Sequence, residues 1–219
     1  MAKVAVMTRD PKLYYLISRL LKEHSIDFIS ITPGLAIPNG VKVVLTSNVE
    51  ASYDDTRTII AVNEENIEES LFKVICALKG KTMFDNLIIG IDPGAKLGVV
   101  ALADGTPIAL KIFYSAKKLT AFLEKLFTLC PAKRRVIRIG SGGDKYLREL
   151  LGELGKIILF PETYIELVSE SLPLSPYVKE CSLPSDVKAA YNIALSKGVP
   201  LSKHEVAEYE NGVSEIQDN

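Results

Sequence analysis

Asp92 ends the apolar run Ile88-Ile89-Gly90-Ile91 and stands directly before Pro93-Gly94. An acid at the tip of a buried strand is costly without a partner. A metal ion, Lys96 or a set of backbone N–H groups would serve. Asp186, behind Pro184-Ser185, is a second acid of interest. It shares a helical face with Ala189, Ala190 and Ile193, a face suited to packing on a sheet, where an acid again needs a partner. As a plain early-turn acid it would complement the helix dipole. Gly140-Ser141-Gly142-Gly143, followed by Asp144 and Lys145, could cradle a phosphate at a helix N-terminus. It lacks the spacing of the standard nucleotide fingerprints, and tight strand-to-helix packing is the favoured reason for the glycines. From Lys81 to Gly140 there are ten Lys or Arg against four Asp or Glu, with Lys133-Arg134-Arg135 and Arg138 among them. That excess suits a phosphate backbone, though most charge runs are solvated faces.

The elements that hold these residues follow from periodicity. Val4–Met7, Phe28–Ile31, Val41–Leu45 and Thr58–Val62 read as short buried strands. A helix capped by Asp10, with Pro11 at its first position, carries Leu13, Leu16, Ile17, Leu20 and Leu21 on one face. Asn63 starts a second helix, with Ile67, Leu71, Val74 and Leu78 on one side, and Gly80 ends it. Alternating strands and helices give a parallel α/β layer over residues 1–80. Residues 81–86 read as a linker.

The second domain spans 87–205. Two strands flank the Asp92-Pro93-Gly94 turn, and Asp104-Gly105 turns the chain into a third, Pro107–Tyr114. A helix over 116–129 leads to a fourth strand, Arg135–Ile139. A helix opened by Asp144 or Lys145 leads to a fifth, Lys156–Phe160, closed by Pro161-Glu162. Ser185 caps a final helix from Asp186 to Lys197, ended by Gly198. Residues 206–219 form a polar, acidic tail. The fold class is thus α/β in two domains, a small parallel sandwich followed by a mixed-sheet domain.

Composition narrows the function. The chain has 219 residues, 47% hydrophobic and 24% charged, with a net charge of −1. Any nucleic-acid site is therefore a local patch. Cys76, Cys130 and Cys181 form no CxxC pair and read as reduced thiols of a cytoplasmic protein. His24 and His204 are not spaced as a metal pair. No run reaches membrane-spanning length, and the N-terminus enters a strand rather than a signal peptide.

Residues 1–80 loosely resemble the receiver or flavodoxin-like class in pattern. A receiver carries a phosphate-accepting Asp at the end of its third strand, whereas Thr46-Ser47-Asn48 stands here, so the resemblance does not extend to phosphoryl transfer. It leaves a scaffold that docks a protein partner or self-associates. In the second domain, Ile89-Gly90-Ile91-Asp92-Pro93-Gly94 with Gly98-Val99-Val100-Ala101-Leu102 resembles the opening motif of the RuvC-type Holliday-junction resolvases. The element order and the helix Pro184 to Leu195 resemble theirs too, over roughly residues 85 to 200 of the ribonuclease H-like arrangement.

That resemblance implies metal-dependent cutting of phosphodiesters by clustered carboxylates. The family's acids lie on the first strand, the fourth strand and the last helix. Asp92 and Asp186 match as catalytic acids and metal ligands. Gly140 stands at the fourth-strand position and Ala189 at the second helix position. Asp144 and Glu162 are the acids left to complete a metal set. The most that this partial set supports is one Mg²⁺. Gly94, Lys96, Ser141, Gly142, Gly143 and Lys145 are the expected phosphate or nucleic-acid contacts. The leading expectation is binding of structured DNA or RNA. A Mg²⁺-dependent endonuclease is the alternative, and a nucleotide or phosphate site of the same fold ranks third.

Overall fold

The computed structural model describes residues 2–50, 57–142, 144–169, 182–202, 204–206 and 209. The chain divides into two compact units at Met83/Phe84.

In the first unit, β1 (Val4–Met7), β2 (Phe28–Ser30), β3 (Val43–Ser47) and β4 (Thr58–Val62) form an all-parallel sheet in the order β2-β1-β3-β4. Helix α1 (Pro11–Glu23) joins β1 to β2, and α2 (Ile67–Leu78) follows β4. Asp10 caps α1 as expected, its Oδ1 accepting from the N–H groups of Lys12 and Leu13 at 2.9 and 3.1 Å. Leu13, Ile17 and Leu21 bury against Val4, Val6, Val43 and Leu45, with Val74 of α2 in the same cluster. Helix α2 starts four residues later than Asn63. Asn63 and Asn66 instead lock a turn, Asn66 Oδ1 accepting from Asn63 N–H and Asn63 Oδ1 from Asn66 N–H. Gly80, at φ +70, closes α2, and Lys81 N–H donates to Cys76 O.

The second unit holds a mixed sheet of β5 (Phe84–Asp92), β6 (Leu97–Ala103), β7 (Thr106–Phe113), β8 (Ala132–Gly140), β9 (Thr163–Val168) and β10 (Val199–Leu201). Their spatial order is β10-β9-β8-β5-β6-β7. Strands β5, β6 and β7 run antiparallel in sequence order, while β8 joins β5 and β9 joins β8 in parallel. Strand β5 takes in residues 84–86, which sequence pattern gives to a linker. Asp104 (φ 46) and Gly105 (φ 77) form a two-residue turn with both φ positive, the primed geometry that suits a twisted hairpin. Helix α3 (Ala116–Leu129) packs on β7 and on α4 (Asp144–Glu153).

The fifth strand is where sequence pattern misleads. Residues Leu154–Leu159 form a 3₁₀ helix, and the strand is Thr163–Val168. Leu154, Ile157 and Ile158 are buried in either case, because a short apolar run fits a helix or a strand equally well. Helix α5 (Ser185–Leu195) lies on β5 and β6, with Val187, Ala190, Tyr191 and Ala194 packed on Val100 and Leu102. Pro184, not Ser185, is its N-cap residue. Gly198 lacks a Cβ because one would meet Leu167 O at 2.7 Å, and this close approach admits β10 beside β9.

Candidate functional site

Strand β5 ends on Asp92, and Gly98 of β6 stands directly opposite. Residues directly opposite in an antiparallel pair project from the same face. A Cβ at Gly98 would come within 2.5 Å of the Asp186 carbonyl carbon and 3.2 Å of Asp186 Cβ. The Asp92 side chain therefore leaves the sheet on the face over which the first turn of α5 crosses. Two residues back along β5, a Cβ at Gly90 would meet Ala194 N and Cβ, each at 2.6 Å. The two glycines let α5 lie almost on the strand backbone, with its N-terminal end beside Asp92. Both carboxylates are half-buried, and Asp186 also faces the favourable end of its own helix dipole.

The neighbouring strand lacks a third acid. Ile139 pairs with Ile91, so Gly140, one residue on, falls beside Asp92, and Val168 of β9 pairs with Gly140. One turn beyond Asp186, Ala189 contributes no ligand. Among the described residues, no three His, Cys, Asp or Glu side chains gather where they could hold a metal ion.

Glu162 is a correction. It precedes β9 instead of ending it, and its carbonyl accepts from Arg135 N–H at 2.8 Å. Arg135 lies five residues before Gly140, so Glu162 sits about 16 Å of strand from the Asp92 end of the sheet. Its carboxylate accepts from Tyr164 Oη–H at 2.7 Å, which holds the Tyr164 proton and raises that pKa. Asp144 opens α4 at the same sheet edge as Asp92, but its side chain and Gly143 lie outside the described residues. The expected phosphate contacts do share an edge. Gly94 and Lys96 lie in the β5–β6 turn, Ser141 and Gly142 follow β8, and Lys145 is in the first turn of α4. Lys96 and Lys145 are exposed there.

The basic run is largely consumed by the fold. Lys133 pairs with Asp85 at 2.8 Å, Arg134 stacks 5.2 Å over Tyr164, and Arg135 stacks on Phe127 and donates to Pro161 O. Arg138 pairs with Glu166 at 2.9 Å and donates to Ala194 O at 2.7 Å, tying β8, β9 and the end of α5 together. Glu166 carries no sequence signal of its own, because the apolar pattern puts the strand at Lys156–Phe160 and Glu166 lies in Thr163–Val168. Pro161, a poor residue for a central strand, separates the two candidate runs without choosing between them.

In the first unit, the strand order reverses between β1 and β3, the place where parallel α/β sheets open a crevice. Here Glu50 fills it. Its carboxylate accepts from Arg9 N–H at 2.8 Å and from Ser47 Oγ at 2.8 Å. Burial pushes its pKa up, but hydrogen bonds from Thr8, Ser47 and Arg9 outweigh this and hold it below the ordinary value. Ser47 ends β3, so no carboxylate stands at the strand tip itself.

Residues 3–74 match the family model of a response regulator receiver-like domain, and the match falls wholly within the first unit. No curated protein matches the chain. Among the described residues, no helix is long and apolar enough to cross a membrane.

Proposed function

We propose that the second unit is a ribonuclease H-like domain of the RuvC type that binds structured nucleic acid, with its catalytic acids reduced to Asp92 and Asp186. The receiver-like first unit serves as a docking module for a protein partner or a second copy of the chain. The observation that supports this reading is that the first turn of α5, which carries Asp186, crosses the bare Gly98 backbone directly opposite Asp92. Its support in the fold is the order β7-β6-β5-β8-β9, with only β6 reversed among the five. The empty third position at Gly140 favours binding over cutting, because two-metal hydrolysis needs clustered oxygen ligands.

The placement of both acids on one face of the sheet also favours a second reading, a Mg²⁺-dependent endonuclease with a reduced ligand set. One experiment separates the two. Labelled four-way junction and plain duplex are titrated in chelator and in Mg²⁺, over a range of salt, with cleavage followed in parallel. The binding reading expects junction affinity that survives chelator and falls steeply as salt rises. Mg²⁺-dependent cleavage abolished by Asp92→Asn would replace it with the nuclease. Absent or salt-insensitive binding would remove nucleic acid from both.

A further inference from the structure

A shallow hollow of about 60 Å³ opens on the sheet edge that ends at Asp92. Gly94 and Ala95 of the β5–β6 turn and Leu97 of β6 form one wall, Tyr114 follows β7, and Tyr146 and Glu149 come from α4. Tyr146 and Glu149 are three apart and share a helix face. Both rings are exposed, Tyr114 at 73% and Tyr146 at 37%. Among the described residues, the side chains of Tyr114, Tyr146 and Glu149 hold no hydrogen bond, ion pair or ring contact. Lys96 lies between two wall residues, and Lys145 precedes Tyr146.

We propose that this hollow receives one unpaired nucleobase, a proposal that rests on the nucleic-acid reading above. Two tyrosine faces with no internal partner offer a stacking surface, the means by which single-stranded bases are held. The carboxylate inside the hollow repels phosphate, so the phosphate stays at the rim with Lys96 and Lys145 while the base enters. A carboxylate side chain such as that of Glu149 offers hydrogen-bond acceptors. It therefore favours bases with an exocyclic amine, cytosine, adenine or guanine, over thymine or uracil.

The test uses the full chain and labelled oligo(dC), oligo(dT) and blunt duplex. The expected result is tighter binding of oligo(dC) than of oligo(dT). Tyr114→Ala and Tyr146→Ala should each weaken oligo(dC) binding at least about fivefold, the loss of one stacked base, without changing duplex binding. Glu149→Gln should narrow the preference for oligo(dC) over oligo(dT). All three side chains are exposed, so far-UV circular dichroism should match the wild type. If the wild type binds nucleic acid and the tyrosine variants bind oligo(dC) equally well, the base pocket is overturned and the reading of the second unit stands. If the wild type binds no nucleic acid, that reading falls, and cytidine monophosphate titrated by NMR decides the pocket alone. Shifts centred on Tyr114, Tyr146 and Glu149 would retain it as a mononucleotide site, and their absence would overturn it.

Discussion

Gly98→Ala tests the seat of α5, on which the placement of Asp186 beside the end of β5 depends. The added methyl would lie 2.5 Å from the Asp186 carbonyl carbon, where ordinary contact begins at 3.4 Å. The obstacle is backbone, so no change of rotamer relieves it. The first turn of α5 would have to retreat by about 1 Å from a close-packed sheet. Overpacking of this kind costs about 1–3 kcal/mol. Lower entropy of the unfolded alanine chain offsets about 0.4–1 kcal/mol at most. A clash with backbone puts Gly98→Ala at the upper end of that cost, a net loss of about 2–2.6 kcal/mol, so at about 4 °C per kcal/mol for a unit of this size Tm should fall by about 8–10 °C. Gly94→Ala is the control, because its nearest neighbour, Lys96 O, lies at 3.3 Å, and its cost should stay below about 1 kcal/mol. Urea and thermal unfolding followed by tyrosine emission would read both, as the chain has no Trp. The junction titration on the same variant should show weaker binding. A Gly98→Ala protein as stable as Gly94→Ala would mean that α5 does not cross β6 at Gly98. The placement of Asp186 beside Asp92 would then be refuted.

Two further outcomes follow from the pairing chemistry. Glu166→Ala leaves Arg138 without its carboxylate in a site where the paired side chains are only 16% and 10% exposed, and should cost about 3–5 kcal/mol; the double variant Arg138→Met/Glu166→Leu should recover most of that in urea unfolding, and a double variant no better than the single one would show that the pair's charge is not what matters. Glu50 has a pKa below its unfolded value, so its stabilisation is complete above about pH 4.3 and is lost as pH falls through the folded pKa. Urea midpoints measured down the acid range should fall less in Glu50→Gln than in the wild type, and parallel curves would remove Glu50 as the group responsible.

Much of this architecture was legible in the chain because local rules and tertiary demands agree. Asp10-Pro11 capped a helix whose apolar face had a place to go, and Asp104-Gly105 supplied the two positive φ angles that the β6–β7 hairpin needs. The tip of β5 was readable because a strand covered on both faces is apolar throughout, so the one acid stands out. The location of β9 was not, because Leu154 to Phe160 is apolar enough for a strand or a buried 3₁₀ turn, and only neighbouring strands choose between them. The fate of Lys133, Arg134 and Arg135 was likewise hidden. Their partners Asp85, Tyr164 and Phe127 are brought to them by strand pairing and helix packing, not by sequence proximity. Sequence alone determined that an acid ends β5 and that an acid opens α5. Only the folded sheet decided that the helix turn carrying Asp186 crosses beside the end of β5, because Gly90 and Gly98 have no side chains to hold the helix away.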